Sequence, residues 1–241
     1  DANPLARTLG RWMAASGPER ERALLDARLA KVRVAGATEE EQLVWRLQQA
    51  ALLDSMPDDE RLTPLLVELA ARPQLLTDAQ HADLDRFARR QQVRGIEAAG
   101  ARGDHAGARR LLAGAMSRWP GDDGLRLLQA RLEADAGNTD QAIARDRALL
   151  AMRPDWTDAS LGLVDACIAG DRLAEARAEL AALEARLTPV VTDDDWRLAL
   201  ARRYQRIDRS ADALRLLEAQ LAIAVTPEAL ISRGELAESR R

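Results

Sequence analysis

Apolar residues recur at helical spacing along most of the chain, and between residues 89 and 221 the pattern repeats with a period close to 34 residues. Each period contains a turn pair, a small residue on the following helix and a closing proline. The turn pairs are Gly103-Asp104, Gly137-Asn138 and Gly170-Asp171; the small residues are Ala108, Ala142 and Ala176; the prolines are Pro120, Pro154 and Pro189. Each period therefore predicts a hairpin of two α-helices.

Each of these landmarks has a physical reason. A glycine just past a helix adopts the left-handed conformation that caps the helix at little steric cost, so the chain can turn back. The alanine lies where the two helices approach most closely, because a larger side chain would push them apart. Proline ends the second helix, since it lacks a backbone donor and clashes with the preceding turn.

A fourth period follows with an altered turn. The apolar and small positions of the pattern recur at Leu200, Ala201, Tyr204, Ala213 and Leu217. Residues 207–210 stand where the earlier periods have glycine and a polar residue. We therefore expect a fourth hairpin whose turn is not built on glycine.

The flanking segments also have helical patterns. Residues 5–16 and 19–34 are predicted to form one pair of helices. A second pair is predicted from Thr38 to about Ser55 and from residue 57 to just before Pro73, without the turn glycine or the alanine. A long helix is expected from Thr77 to about Gly100, and a last helix is expected to begin at Thr226-Pro227-Glu228 and to shield the last hairpin.

These elements predict an all-α fold, a right-handed superhelical solenoid of about thirteen antiparallel helices without strands. We divide it into degenerate helical repeats over residues 1–76, four well-marked repeats over 77–223 and a terminal helix over 224–241. Because each repeat buries itself only against its neighbours, the three parts are expected to form one continuous solenoid.

The repeats resemble known families. Their length and landmarks resemble the tetratricopeptide repeat, a helix-turn-helix unit. More narrowly, residues 125–137, 159–176 and 195–202 resemble the periplasmic repeats of the export component of bacterial cellulose synthase, and this likeness covers about residues 76–221. The resemblance implies a periplasmic scaffold in a larger outer-membrane protein, with proteins of an exopolysaccharide synthesis and export complex as partners and the polysaccharide itself as a second candidate.

The tetratricopeptide resemblance also implies a binding groove, lined by the outward positions of the first helix of each repeat. Charged and aliphatic residues alternate at these positions, which suits an extended peptide or protein segment better than a polyanion. The predicted groove residues are Arg90, Val93, Glu97, Leu127, Arg131, Asp135, Asp158, Leu161, Asp165, Asp195, Leu198, Arg202 and Gln205.

Charge and composition narrow the classes of partner. The net charge is −4, from 35 basic and 39 acidic residues, so a long basic stripe for nucleic acid is not expected. Lys31 is the only lysine and Cys167 the only cysteine, which excludes a Walker-type phosphate loop and a disulfide framework. No apolar run is long enough to cross a bilayer. The chain begins at Asp1 with no methionine and no leader pattern, so we expect it to be an excised or processed piece of a larger protein.

Candidate catalytic and metal-binding residues have simpler structural explanations. Acidic triplets at residues 39–41, 58–60 and 193–195 lie where helices begin, which capping and the helix dipole explain. His81 and His105 have no metal-ligand spacing. Trp119, Trp156 and Trp196 recur near turns between repeats, where packing explains them better than sugar stacking. We therefore predict no enzyme activity, no metal and no cofactor.

Three alternatives stay open at this point. Sister systems that export other exopolysaccharides could use the same repeats. A regulatory adaptor in the cytoplasm is the second alternative, although the chain lacks the paired asparagines and lysines with which co-chaperone repeats grip a terminal carboxylate. The third, a glycan-processing enzyme or its accessory domain, would need a pocket with a carboxylate pair, which an open groove does not provide.

Overall fold

A computed structural model describes residues 38–55, 59–188, 196–223 and 226–238. These residues form eleven α-helices, one short 3₁₀ helix and no strand, which confirms the all-α prediction. The α-helices are α1 (Glu39–Ser55), α2 (Asp59–Ala70), α3 (Asp78–Ala101), α4 (His105–Arg118), α5 (Asp123–Asp135), α6 (Thr139–Met152), α7 (Thr157–Ala169), α8 (Leu173–Leu187), α9 (Trp196–Arg206), α10 (Ser210–Ile223) and α11 (Pro227–Glu238). The helices predicted over residues 5–16 and 19–34 lie outside the described residues.

The chain divides into two compact units, and the boundary between Gln91 and Gln92 falls inside α3. In the first unit, α1 and α2 pack against each other around a core that includes Leu53, Leu62 and Phe87. The hairpin of α1 and α2 agrees with the helix pair predicted for this region.

Reciprocal capping pairs begin α1 and α3. At the start of α1, the Thr38 amide donates to the Glu41 carboxylate at 2.9 Å, and the Glu41 amide donates to the Thr38 hydroxyl at 3.2 Å. Thr77 and Gln80 form the same reciprocal pair at the start of α3. The acidic triplet at residues 39–41 thus contributes to a helix cap.

The second unit consists of successive helical hairpins, α3 with α4, α5 with α6, α7 with α8 and α9 with α10, followed by α11. At the contacts within these hairpins lie Ala108, Ala142, Ala176 and Ala213, and all four are buried. This confirms the predicted position of the small residue. Pro120 and Pro154 follow the ends of α4 and α6 as predicted, whereas Pro189 lies outside the described residues.

The turns between paired helices place one residue each in the left-handed region. These residues are Gly103 (φ 75°), Gly137 (φ 81°), Asp171 (φ 55°) and Asp208 (φ 58°). The first three are 34 residues apart, so the turn geometry repeats more regularly than the residue type. In the fourth hairpin an aspartate makes the turn that was expected without glycine.

The third turn lies at the predicted pair Gly170-Asp171, but the expectation that the glycine takes its left-handed conformation was wrong. Gly170 has φ −89°, and the residue after it, Asp171, takes the left-handed conformation. A Cβ at Gly170 would lie 3.1 Å from the Thr139 hydroxyl, so the glycine allows the start of α6 in the preceding hairpin to come close to this turn. Sequence spacing alone does not distinguish these two uses of glycine.

Arginines join neighbouring hairpins of the second unit. The pairs that cross from one hairpin to the next include Arg109 with Glu133 at 3.2 Å, Arg147 with Glu175 at 2.5 Å and Arg215 with Glu184 at 2.7 Å. The pair of Arg147 with Glu175 is exposed on both sides and contributes about 0.2 to 1 kcal/mol. The Glu133 and Glu184 side chains are only 11% and 15% exposed. The three contacts together link the hairpins from α4 to α10.

The terminal helix α11 packs on α10 and also contacts α9, with Ala229 buried. The Ala229 amide hydrogen bonds to the Thr226 hydroxyl at 3.3 Å, so the predicted cap is confirmed. On its other side α11 carries Leu230 and Ile231, both exposed. The helix therefore covers the last hairpin but presents an apolar side of its own.

Candidate functional site

The first helices of the later hairpins form one layer. α5 contacts α7, α7 contacts α9, and α9 contacts α11. Each hairpin reverses the chain twice, so these helices run in the same direction. We define the first-helix surface as the side of α5, α7 and α9 that carries Arg131, Gly162, Asp165 and Arg202.

The structure divides the predicted groove residues into three groups. The exposed residues are Arg90, Glu97, Arg131, Asp135, Asp158 and Arg202. The half-buried residues are Val93, Leu161, Asp165 and Gln205. The buried residues are Leu127 and Leu198, and Asp195 lies outside the described residues.

Leu127 and Leu198 do not face outward as predicted, since each is only 5% exposed. Leu127 packs against Leu149 of α6 and Ala159 of α7, and Leu198 belongs to the main core cluster. The reason is that each first helix has a neighbour in its own layer, which covers a side that one isolated hairpin would leave open. Of the predicted central leucines, only Leu161 keeps a partly open side chain.

Arg90 has a structural role in the first unit. Its guanidinium hydrogen bonds at 2.8 Å to the carboxylate of Asp54, whose side chain is buried. Removing one partner of such a pair would leave an uncompensated buried charge. Arg90 therefore holds α3 to α1, which the register of the repeat did not indicate.

The acidic and basic residues of the first-helix surface meet at Asp165. Its two carboxylate oxygens bind Arg203 and Arg206 of α9, each at 2.5 Å. Two guanidinium groups thus share one carboxylate across the contact between α7 and α9. Sequence reasoning selected Asp165 and missed Arg203 and Arg206, which follow Arg202 within about one turn of helix.

Asp146 stands at a position that the other hairpins fill with leucine. Leu112, Asp146 and Leu180 follow one another at intervals of 34 residues, and Leu217 takes this position in the last hairpin. All four side chains are buried, and Asp146 is only 2% exposed. Comparing the repeats position by position would have revealed this acid in the core of the second unit.

The Asp146 carboxyl lies against the backbone of α7 at Gly162. A Cβ at Gly162 would come within 3.1 Å of Oδ2 and 3.3 Å of Oδ1, so the glycine provides room for this carboxyl. Oδ1 has no hydrogen-bond partner among the described residues. Burial raises the pKa of Asp146 to about 7; nearby Arg131 lowers this pKa and Asp165 raises it further.

We searched the described residues for a metal site, a reactive cysteine and a membrane-spanning helix. They contain no group of three or more His, Cys, Asp or Glu side chains placed to hold a metal ion. Cys167 is buried, and burial raises the pKa of its thiol, which disfavours the nucleophilic thiolate. In the described part of the chain, no helix combines the length and the apolar character that a transmembrane span requires.

The three recurring tryptophans each have an arginine over the ring. The guanidinium carbon lies 4.6 Å from the ring centroid for Arg118 over Trp119, 3.9 Å for Arg153 over Trp156 and 4.4 Å for Arg197 over Trp196. One face of each ring is therefore occupied within the protein. This arrangement favours packing at the turns between repeats over stacking on a sugar.

Comparison with known proteins agrees with this architecture. Residues 101–155 and 134–188 match the tetratricopeptide repeat family model. The chain has a tetratricopeptide-repeat fold. A solved tetratricopeptide repeat protein from Parabacteroides merdae ATCC 43184 is similar over 98% of this chain and 85% of its own, with a TM-score of 0.59 and 11% identity. No curated protein matches the chain.

The tetratricopeptide fold is one that serves as a scaffold for protein interaction. The fold and the family match thus support the coarse functional prediction. Neither of them supports the resemblance to the export component of cellulose synthase, which remains a hypothesis based on the sequence.

Proposed function

We propose that this protein is a non-catalytic scaffold that holds a segment of a partner protein on its first-helix surface. The observation that carries the proposal is a set of charges that the fold does not use. On this surface, Arg131, Asp135, Asp158 and Arg202 are exposed and form no hydrogen bond or ion pair within the described residues, and the same holds for Glu97 on α3. Many other arginines of the second unit join its helices, so these side chains stand out as free to bind.

Mixed charges on an open surface orient a partner and raise its association rate. The half-buried Leu161, on the middle helix of this surface, supplies apolar contact. Since Leu127 and Leu198 are buried, the surface depends more on charge than the sequence indicated. An extended segment with both polar and apolar side chains fits such a surface best.

The finer part of the proposal concerns the biological setting. We propose that the partner is a protein of an exopolysaccharide synthesis and export system of the cellulose type, and that the scaffold works in the periplasm. The support for this setting is the resemblance of residues 76–221 to the repeats of the export component of cellulose synthase. The alternatives are a different exopolysaccharide system and a cytoplasmic adaptor.

The test combines charge reversal with cross-linking in the organism that makes the protein. A photo-reactive residue at position 158 should capture a specific protein, and the Arg131→Glu, Arg202→Glu double variant should lose that capture and export less polysaccharide. The matched control is Arg110→Glu with Arg177→Glu, because these exposed arginines lie on the second helices α4 and α8 and also lack ion pairs in the described residues. Surface changes of this kind shift stability by about 0.5 kcal/mol or less, so both double variants should fold.

Two results would contradict the proposal at different levels. Normal export with loss of the captured protein would refute the exopolysaccharide setting and leave the scaffold intact. Unchanged capture in the Arg131→Glu, Arg202→Glu variant would show that the first-helix surface does not hold the partner.

A further inference from the structure

Basic groups outnumber acidic groups at the centre of the first-helix surface. Arg203 and Arg206 of α9 both bind Asp165 of α7, Arg202 lies next to Arg203 on α9, and α5 carries the exposed Arg131. Asp165 can balance one of these four arginines, and Asp146 adds no charge as long as it is neutral. The exposed acids Asp135 and Asp158 lie at opposite helix ends, one at the end of α5 and the other near the start of α7.

Asp146 is the group that can change this balance. Its carboxyl is buried against Gly162 of α7, with Oδ1 unpartnered in the described part of the protein. The charged groups that act on it are Arg131 from α5 and Asp165 from α7. On its own helix, Arg145 is bound to Gln129 at 2.8 Å.

We propose that the centre of the first-helix surface docks an acidic segment of the partner protein, and that ionisation of Asp146 weakens this docking. The inference rests on the proposed scaffold function and names its partner chemistry. Carboxylates of the segment pair with Arg131, Arg202 and the guanidinium charge that Asp165 leaves uncompensated, since guanidinium and carboxylate match in geometry. Leu161 contacts an apolar side chain of the same segment.

Charge complementarity favours an acidic protein segment, rather than a nucleic acid, as the ligand of this surface. The basic cluster occupies three helices only, and the whole chain has a net charge of −4. Nucleic-acid binding draws on many phosphate contacts along a long basic surface. A short run of carboxylates with apolar neighbours needs only the cluster that is present.

The pH dependence follows from the state of Asp146. Burial raises its pKa to about 7, so the carboxyl is mostly protonated at pH 6 and mostly ionised at pH 8. Ionisation adds one negative charge next to Arg131, so an acidic segment binds less tightly at pH 8. By linkage, the bound segment favours the protonated form of Asp146 by the same factor.

The experiment measures binding of a fluorescein-labelled peptide of alternating Glu and Leu to the purified chain, by fluorescence anisotropy at pH 6 and pH 8. A peptide of alternating Gln and Leu is the uncharged comparison. We expect the Glu peptide to bind about fivefold more tightly at pH 6 than at pH 8, within the usual range of coupling between sites. The Gln peptide should bind weakly at both pH values.

Matched variants assign the effect to residues. Arg131→Gln with Arg202→Gln should weaken binding of the Glu peptide at both pH values, whereas Arg110→Gln with Arg177→Gln should not. Asp146→Asn, which keeps the shape of the side chain, should bind at pH 8 as tightly as at pH 6. Asp146→Leu, which restores the residue of the other hairpins, should behave in the same way and serves if the Asn variant fails to fold.

Several outcomes would overturn the inference. Equal binding of the Glu and Gln peptides, or equal binding of a single-stranded oligonucleotide, would exclude an acidic protein segment as the specific ligand. A pH dependence of binding that persists in the Asp146→Asn variant would show that Asp146 does not cause it. The cross-linking experiment separates this inference from the scaffold function. If the Arg131→Glu, Arg202→Glu variant loses the partner captured at position 158 but the Glu peptide does not bind the protein, this inference fails and the scaffold function stands.

Discussion

At the scale of single residues, Asp146 makes the stability of the protein depend on pH. In the unfolded chain its pKa is near the ordinary 3.8, and in the folded protein burial raises the pKa to about 7. The folded state therefore binds more protons than the unfolded state between these values, so stability is highest below about pH 4 with respect to this group and falls as pH rises to 7. Well above pH 7 the carboxyl is ionised in both states, and the loss of folding stability reaches its full size.

Replacement of Asp146 by Asn should remove this contribution. A difference of about three pKa units corresponds to about 4 kcal/mol at most, because one unit is about 1.4 kcal/mol. We expect urea unfolding at pH 8 to show a more stable Asn variant, with the difference shrinking toward pH 5. A constant difference between the two proteins across this pH range would show that Asp146 does not titrate in the folded state.

The left-handed turn residues allow a second test at this scale. The positive φ of Asp171 carries backbone strain that glycine would not have, whereas nothing lies within 4 Å of a Cβ built at Gly137. We expect Asp171→Gly to be neutral or to raise the melting temperature, and Gly137→Ala to lower stability by about 1 kcal/mol. Calorimetry checks both, and an unchanged melting temperature for Gly137→Ala would contradict the turn geometry.

At the scale of elements, the close approach of paired helices depends on the alanines. Ala142 on α6 is fully buried, and α6 packs against α5 and α7. Ala142→Leu should therefore cost about 1 to 3 kcal/mol by overpacking. The control is Ala144→Leu on the exposed side of the same helix. Equal melting temperatures for the two variants would show that the predicted register of α6 is wrong.

The elements also show which parts of the pattern are interchangeable. Left-handed turns form at glycine in two hairpins and at aspartate in the other two, because Asp tolerates this conformation better than most residues do. The buried position at residue 146 accepts an acid only because Gly162 on the next hairpin leaves room for it. Such compensation between hairpins does not appear in the pattern of either hairpin alone.

At the scale of the whole molecule, the described surface offers helices with open charges and no assembled catalytic group. We expect the purified protein to contain no stoichiometric zinc or calcium and to release no reducing sugar from cellulose-type glycans. Elemental analysis and a reducing-sugar assay measure this directly. Metal at one equivalent, or steady release of sugar that tracks the protein through purification, would contradict the non-catalytic assignment.

The sequence by itself determined the helical hairpins and their register, because helix formation, capping and the 34-residue period depend on residues close together in the chain. It also identified Arg131, Asp158 and Arg202 as outward, since one face of one helix is readable from its own spacing. The sequence of single repeats did not show that Leu127 and Leu198 are buried, that Arg90 binds Asp54, or that Arg203 and Arg206 share Asp165. Those facts depend on which helix lies beside which, and only the packing of successive elements decides what covers a side chain and what charge it meets.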